Sequence, residues 1–230
     1  MIQSGDHYEI RSQNSNLIYW EQGEFPEWTA LSCLRAFPTA PAGHGVEPHY
    51  HDNDEIWLFR SGHGEVWVGD QRYDVTPNTA VYTPLGVVHR FQMFEPYENT
   101  AIVTSLEGKK RPLHLVAAHH GHPVPTAAGF VIPGSANVGP IADPGSRCPL
   151  SELREITFSA GELLAEKATL DRHEHWIVTQ GAIELTLGGV ITSLHEEDVV
   201  LMRTGGVREI RAQSAGRVVL VRERKSKSNT

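Results

Sequence analysis

The chain has 230 residues, 40% of them apolar and 21% charged, an ordinary globular mix that excludes wholesale disorder. At this length one large β domain or two small domains are expected. The formal charge of -8 excludes a phosphate-backbone binder, which would concentrate lysine and arginine to displace counterions, so no nucleic-acid partner is expected.

The opening MIQSGDHYEI has neither the basic nor the apolar region of a secretory signal, and no stretch approaches a membrane-spanning apolar run. A cytoplasmic location without a membrane partner is expected. Cys33 and Cys148 lie far apart and lack CxxC spacing, so neither a disulfide framework nor a thiolate metal site is read from them. The 13 histidines stand out in so acidic a chain, because neutral imidazole is the commonest metal ligand.

In chain order, strands are expected over ALSCLRAF, EIWLF, EVWVG, NTAVYT and AIVTSL, then over WIVTQ, IELTL and VVLM. These runs are rich in β-branched and aromatic residues, and Gly, Pro, Asn or Asp breaks many of them. GELLAEKATL is helical by propensity, but its neighbours make a strand there equally plausible. An all-β protein follows. Sliding the sequence by 119 positions sets Glu55 on Glu174, Trp57 on Trp176, Gly62 on Gly181, Val81 on Val200, Gly86 on Gly205 and Val88 on Val207. This is an internal duplication.

The predicted organisation is a first domain over 1–112, a Pro/Gly/Ala-rich connector over 113–150, a second domain over 151–222 and a disordered basic tail over 223–230. A structureless connector of that length is implausible, so LHLVAA and GFVIP are expected to add edge strands to one domain or the other.

The chemistry concentrates in GHGVEPHYHDNDEIWLFRSG and YTPLGVVHRFQMF. Side chains alternate along a strand, so His49 and His51 share a face and Glu55 keeps the same parity. Pro84 and Gly86 can turn the chain to deliver His89 from a neighbouring strand. Three imidazoles and a carboxylate suit one divalent transition ion (Fe, Mn, Ni, Co or Zn) and are too rich in nitrogen for calcium or magnesium. Trp57, Phe59, Phe91 and Met93 keep inward parity and are candidate pocket residues. Arg35 is a candidate anion anchor, with a solvated outer face as its plainer alternative. His119, His120 and His122 fall in the connector and are expected to be exposed, and His44 and His63 fall near hairpin turns.

These motifs resemble those of the cupin superfamily. The first motif is a glycine, five residues, HXH, three or four residues, a glutamate, six residues and a glycine; Gly43, His49, His51, Glu55 and Gly62 match it throughout. In the second motif Pro84, Gly86 and His89 match, but Asn78 stands for the leading glycine and Met93 for the closing asparagine. The resemblance implies two tandem double-stranded β-barrels, a bicupin, with the ion inside the first. It also implies a homodimer. In the second half Ala168, Leu170 and Arg208 stand where His49, His51 and His89 stand in the first, so no ion is expected there even though His173 and His175 flank Glu174.

RHEHWIVTQG also resembles a stretch of cupin-type mannose-6-phosphate isomerases. The expected activity is therefore a metal-dependent isomerase or epimerase of a small sugar-like molecule, with Glu47 as the candidate general base. An iron(II) dioxygenase and a non-catalytic metabolite- or sugar-binding protein are the alternatives.

Overall fold

The computed structural model describes residues 2–12, 26–104, 113–120, 128–132 and 148–224. A hairpin of β1 (Ile2–Gly5) and β2 (Tyr8–Ser12) opens the chain. Next come β3 (Leu31–Ala36), β4 (Gly45–His51), β5 (Glu55–Ser61), β6 (Gly64–Val68), β7 (Gln71–Val75), β8 (Thr79–Thr83), β9 (His89–Met93) and β10 (Glu98–Thr104). The connector contributes β11 (His114–Val116), the one-turn helix α1 (Ala117–His120) and β12 (Phe130–Ile132). The second half holds β13 (Leu150–Phe158), β14 (Leu163–Thr169), β15 (Glu174–Gln180), β16 (Ala182–Leu187), β17 (Val190–His195), β18 (Asp198–Met202), β19 (Val207–Ala212) and β20 (Gly216–Glu223).

The fold is all-β, as expected, and comprises two compact units. One holds β3 to β12 in two sheets of order β12-β8-β5-β10-β3 and β11-β4-β9-β6-β7. The other holds β1, β2 and β13 to β20, in sheets of order β1-β2-β18-β15-β20-β13 and β14-β19-β16-β17. Allowing for the added edge strands, the two orders are the same, strand for strand.

The cores repeat at the same offset. Trp57, Phe59, Val66, Val68, Val75, Val81, Phe91, Met93 and Ala101 pack together in the first unit. Trp176, Val178, Leu185, Leu187, Leu194, Val200, Ile210, Ala212 and Leu220, each 119 positions further on, pack in the second. In each unit both sheets contribute, which gives the two-layer architecture. The alternating burial of β6, with Val66 and Val68 inward, is the pattern of a strand with one wet face.

Two sequence expectations are revised, and one left open is decided. GELLAEKATL, open between helix and strand, contains β14, whose pairing with β19 outweighs the helical propensity of Leu, Glu and Lys. Residues 2–12 do not belong to the first domain: β2 pairs with β18, with Ile10 opposite Val200, because β18 has an open edge that backbone hydrogen bonds satisfy. β20 runs to Glu223, which is buried, so the expected tail starts too early; residues 225–230 lie outside the described residues. As the connector reading anticipated, LHLVAA supplies β11, paired with β4, and GFVIP supplies β12, paired with β8.

Candidate metal centre

His49 and His51 project from the end of β4 and His89 from the start of β9, where His49 and His89 are register partners. The β4–β9 ladder is irregular between Val46 and His49, the point where Pro48 has no N–H to give. Residues 52–54 bend the chain into β5, which begins with Glu55. Asp54 holds this bend to the turn before His89: its carboxylate accepts from the Tyr82 hydroxyl at 2.9 Å and from the Leu85 N–H at 2.8 Å. The Gly86 N–H donates to the His51 carbonyl at 2.9 Å. The two motifs are thus tied through backbone and carboxylate.

The departures in the second motif leave the geometry intact. Asn78 has φ 65 and its counterpart 119 positions on, Glu197, has φ 73; asparagine is among the side chains best tolerated in this left-handed region. Gly62 also has a positive φ of 87, and an added Cβ would come within 2.6 Å of Tyr97 Cβ. Met93 is fully buried in the core.

His49, His51, Glu55 and His89 are all buried, and one donor atom from each lies within 4.8 Å of the others. Nδ1 of His49 donates to the Glu47 carbonyl at 2.8 Å, Nδ1 of His51 to the Leu113 carbonyl at 3.0 Å and Nδ1 of His89 to the Val87 carbonyl at 2.8 Å. A carbonyl only accepts, so each Nδ1 carries a proton and each neutral ring presents an Nε2 lone pair. Nε2 of His89 and of His51 lie 3.0 Å and 3.3 Å from Glu55 Oε2. Converging lone pairs and a carboxylate call for positive charge between them, so this donor set fits a divalent ion.

Until an ion takes that place, His51 meets the Glu55 charge. Burial, then the charge of His89, pushes His49 down to about 3. Burial lowers His51 too, but the adjacent Glu55 carboxylate outweighs it and raises the group overall. Burial would raise Glu55, yet the charge and hydrogen bonds of His51 and His89 hold it well below the usual carboxylate range.

The other expected site residues separate. Trp57 reaches the cluster, its ring edge-on to His89 with centroids 5.0 Å apart. Phe59, Phe91 and Met93 belong to the core behind it. Arg35 is buried rather than on a solvated face; it shares a cross-strand row with Ala101 and Trp57 and lies 4.5 Å over the Phe37 ring. Glu47 is exposed and serves His49 through its backbone carbonyl. His44 pairs with the Tyr97 hydroxyl, and His63 is exposed beside Phe94. His119 and His120 are exposed on α1, and His122 lies outside the described residues.

Sequence reasoning missed His114. The residue is exposed, but its ring lies nearly parallel to His49, with centroids 4.0 Å apart and planes at 19°, and partial burial, then the charge of His51, lowers it. Its only signal was its place in an expected edge strand.

The second unit solves the same problem without imidazole. Arg208 stands where His89 would, with Nε 2.9 Å from Glu174 Oε1 and Nη2 3.3 Å from Oε2. Trp176 Nε1 donates to Glu174 Oε1 at 2.8 Å, and Arg222 Nε to Oε2 at 2.7 Å. Burial would raise Glu174, but Arg208 and Arg222 outweigh it and the group is lowered. His175 pairs instead with Glu223 at 2.7 Å, and the Thr204 N–H donates to His173. The described residues contain no second four-residue cluster.

Residues 38–95 match the cupin domain family model, and this span contains all four cluster residues. This part of the chain is thus a cupin domain. An uncharacterised protein of Sinorhizobium fredii, y4oW, is 33% identical over 82 residues, covering 35% of this chain and 38% of that protein. The match therefore spans less than half of that relative. Among solved structures, salicylate 1,2-dioxygenase from Pseudaminobacter salicylatoxidans aligns with TM-score 0.55 and 12% identity, over 83% of this chain and 70% of that one. Tomato vicilin (Solanum lycopersicum) aligns at 0.65 and 10%, over 96% and 81%. Oxalate decarboxylase aligns at 0.59 and 13%, over 100% and 76%. At these identities the likeness establishes the shared bicupin fold.

Two outcomes are expected. Tyr82→Phe removes one hydrogen bond to Asp54 and should cost about 1 to 2 kcal/mol in urea unfolding; no loss would mean the bend is held elsewhere. Glu174→Gln strands the buried Arg208 charge and should cost about 3 to 5 kcal/mol. Because the folded pKa of Glu174 is lowered, its contribution is complete above the ordinary carboxylate range and disappears as pH falls through the folded value. The Gln variant should therefore show a flatter loss of stability toward acid than the parent.

Proposed function

We propose that this cupin is an iron(II)-dependent dioxygenase of a small molecule, using one divalent ion held by His49, His51, Glu55 and His89. The observation that carries metal dependence is the convergence of three Nε2 lone pairs and one carboxylate within 4.8 Å, in a buried site. A redox-active ion there would supply oxygen chemistry, and a redox-inert one Lewis acidity. The chain's own residues do the rest. Backbone carbonyls hold the three rings in the metal-facing tautomer, and Trp57, backed by Phe59 and Phe91, gives the centre an aromatic wall that excludes water and favours a planar or partly apolar substrate.

Sugar isomerisation was the leading expectation from sequence, and it rested on the EHW string. In the fold that string has structural work: Glu174 is ion-paired to Arg208, His175 to Glu223, and Trp176 bonds Glu174. Glu47, the general base of that scheme, is exposed. The solved neighbours named for salicylate 1,2-dioxygenase and oxalate decarboxylase add support for oxygen or carboxylate chemistry over sugar chemistry. A homodimer is part of the same proposal; light scattering reads it directly. No helix among the described residues is long and apolar enough to cross a membrane.

Elemental analysis of untagged protein should give about one ion per chain, lost in His49→Ala and His89→Ala and kept in His173→Ala. Equal loss in all three variants would end the single-centre reading. Iron-loaded protein should consume dioxygen with some member of a panel of hydroxylated aromatic acids and small dicarboxylates, and not with sugar phosphates. Isomerisation of a sugar phosphate without oxygen uptake would reverse the choice.

A further inference from the structure

β11 comes from the connector, outside both motifs, yet it is bound to two of the four cluster residues. The Leu113 carbonyl accepts from His51 Nδ1 at 3.0 Å, and the Leu113 N–H donates to Asp52 Oδ1 at 2.8 Å. The ladder then sets His114 opposite His51 and Val116 opposite His49. This register lays the His114 ring on the His49 ring at 4.0 Å, and edge-on to His51 at 5.2 Å.

His49 needs such support. Its hydrogen bond at Nδ1 fixes one ring atom to the Glu47 carbonyl but leaves the ring faces to packing. His89 meets the ring at 61°, whereas His114 lies at 19° and covers a face. A ring stacked parallel on a ligand ring does not aim a nitrogen at the same ion, and His114 is not among the four converging residues.

We propose that β11 is a clasp on the metal centre and that His114 is a positioning residue, holding His49 in its metal-facing orientation by covering one face of its ring. This rests on the reading of the four residues as ligands. The connector is then a wall of the centre, and the part of the chain that carries both motifs does not complete the site alone.

The test uses the full chain, stripped of metal and loaded with Co(II), with affinity measured against a competing chelator and the ligand field read from visible absorption. His114→Ala should weaken cobalt binding about tenfold, the lower end for partners that orient a metal ligand, and should shift the visible bands. His114→Phe keeps a ring on His49 and should restore both to near the parent. Asp52→Ala, which frees the Leu113 N–H, should weaken cobalt binding in the same direction, while far-ultraviolet dichroism shows all three variants folded. Parent-like cobalt binding in His114→Ala would overturn the clasp, as would a Phe variant as weak as the Ala variant. Should the parent itself bind no cobalt, the four-ligand reading fails and this inference with it. Cobalt that binds the parent, is lost in His89→Ala and is unchanged in His114→Ala would remove the clasp alone.

Discussion

A carboxylate buried at the start of a central strand is the constraint around which each half of this protein is organised. Taking a charge out of water costs several kcal/mol or more unless partners replace the lost hydration. Glu55 in the first unit and Glu174 in the second occupy equivalent positions 119 residues apart, and both are buried. Everything specific about the two interiors follows from how that charge is met.

The second unit meets it with fixed side-chain cations. Arg208 and Arg222 neutralise Glu174, and the Trp176 indole satisfies a further lone pair, so the interior is complete as folded. The first unit has His89 and Val103 at the positions of those two arginines. It brings three imidazoles with their Nδ1 protons already committed to backbone carbonyls, which leaves a site suited to an exogenous cation. One duplicated scaffold thus yields a self-sufficient core and a centre that invites a metal. The difference turns on four positions, Ala168, Leu170, Arg208 and Arg222 in place of His49, His51, His89 and Val103.

The connector links these local solutions to the global fold. Its strand β11 pairs with β4 and its strand β12 with β8, so both sheets of the first unit are widened by the segment that joins the halves. The N-terminal hairpin does the same for the second unit by joining the edge at β18. Edge strands with unsatisfied backbone groups recruit whatever chain is near, and here the recruited chain carries His114 to the centre. A segment rich in proline and glycine reads as a linker because its composition is that of turns, whereas its position is set by open edges elsewhere.

Much was legible in the sequence. Strand periodicity put His49 and His51 on one face, because alternation is a local property of extended backbone; Glu55 joins them not by parity but from β5 of the other sheet, after the bend at 52–54. The 119-residue repeat announced two like units because duplicated cores keep the same inward positions. Asn78 with its left-handed φ even explains why a motif glycine was dispensable. Other features are properties of pairing between distant residues. The strand at GELLAEKATL exists because β19 needs a partner, residues 2–12 belong to the second unit because β18 has a free edge, and His114 meets His49 only through the register of β11 on β4. The sequence determined which side chains share a face; only the tertiary structure decided which faces meet, since that depends on hydrogen bonds across tens of residues that no local pattern encodes.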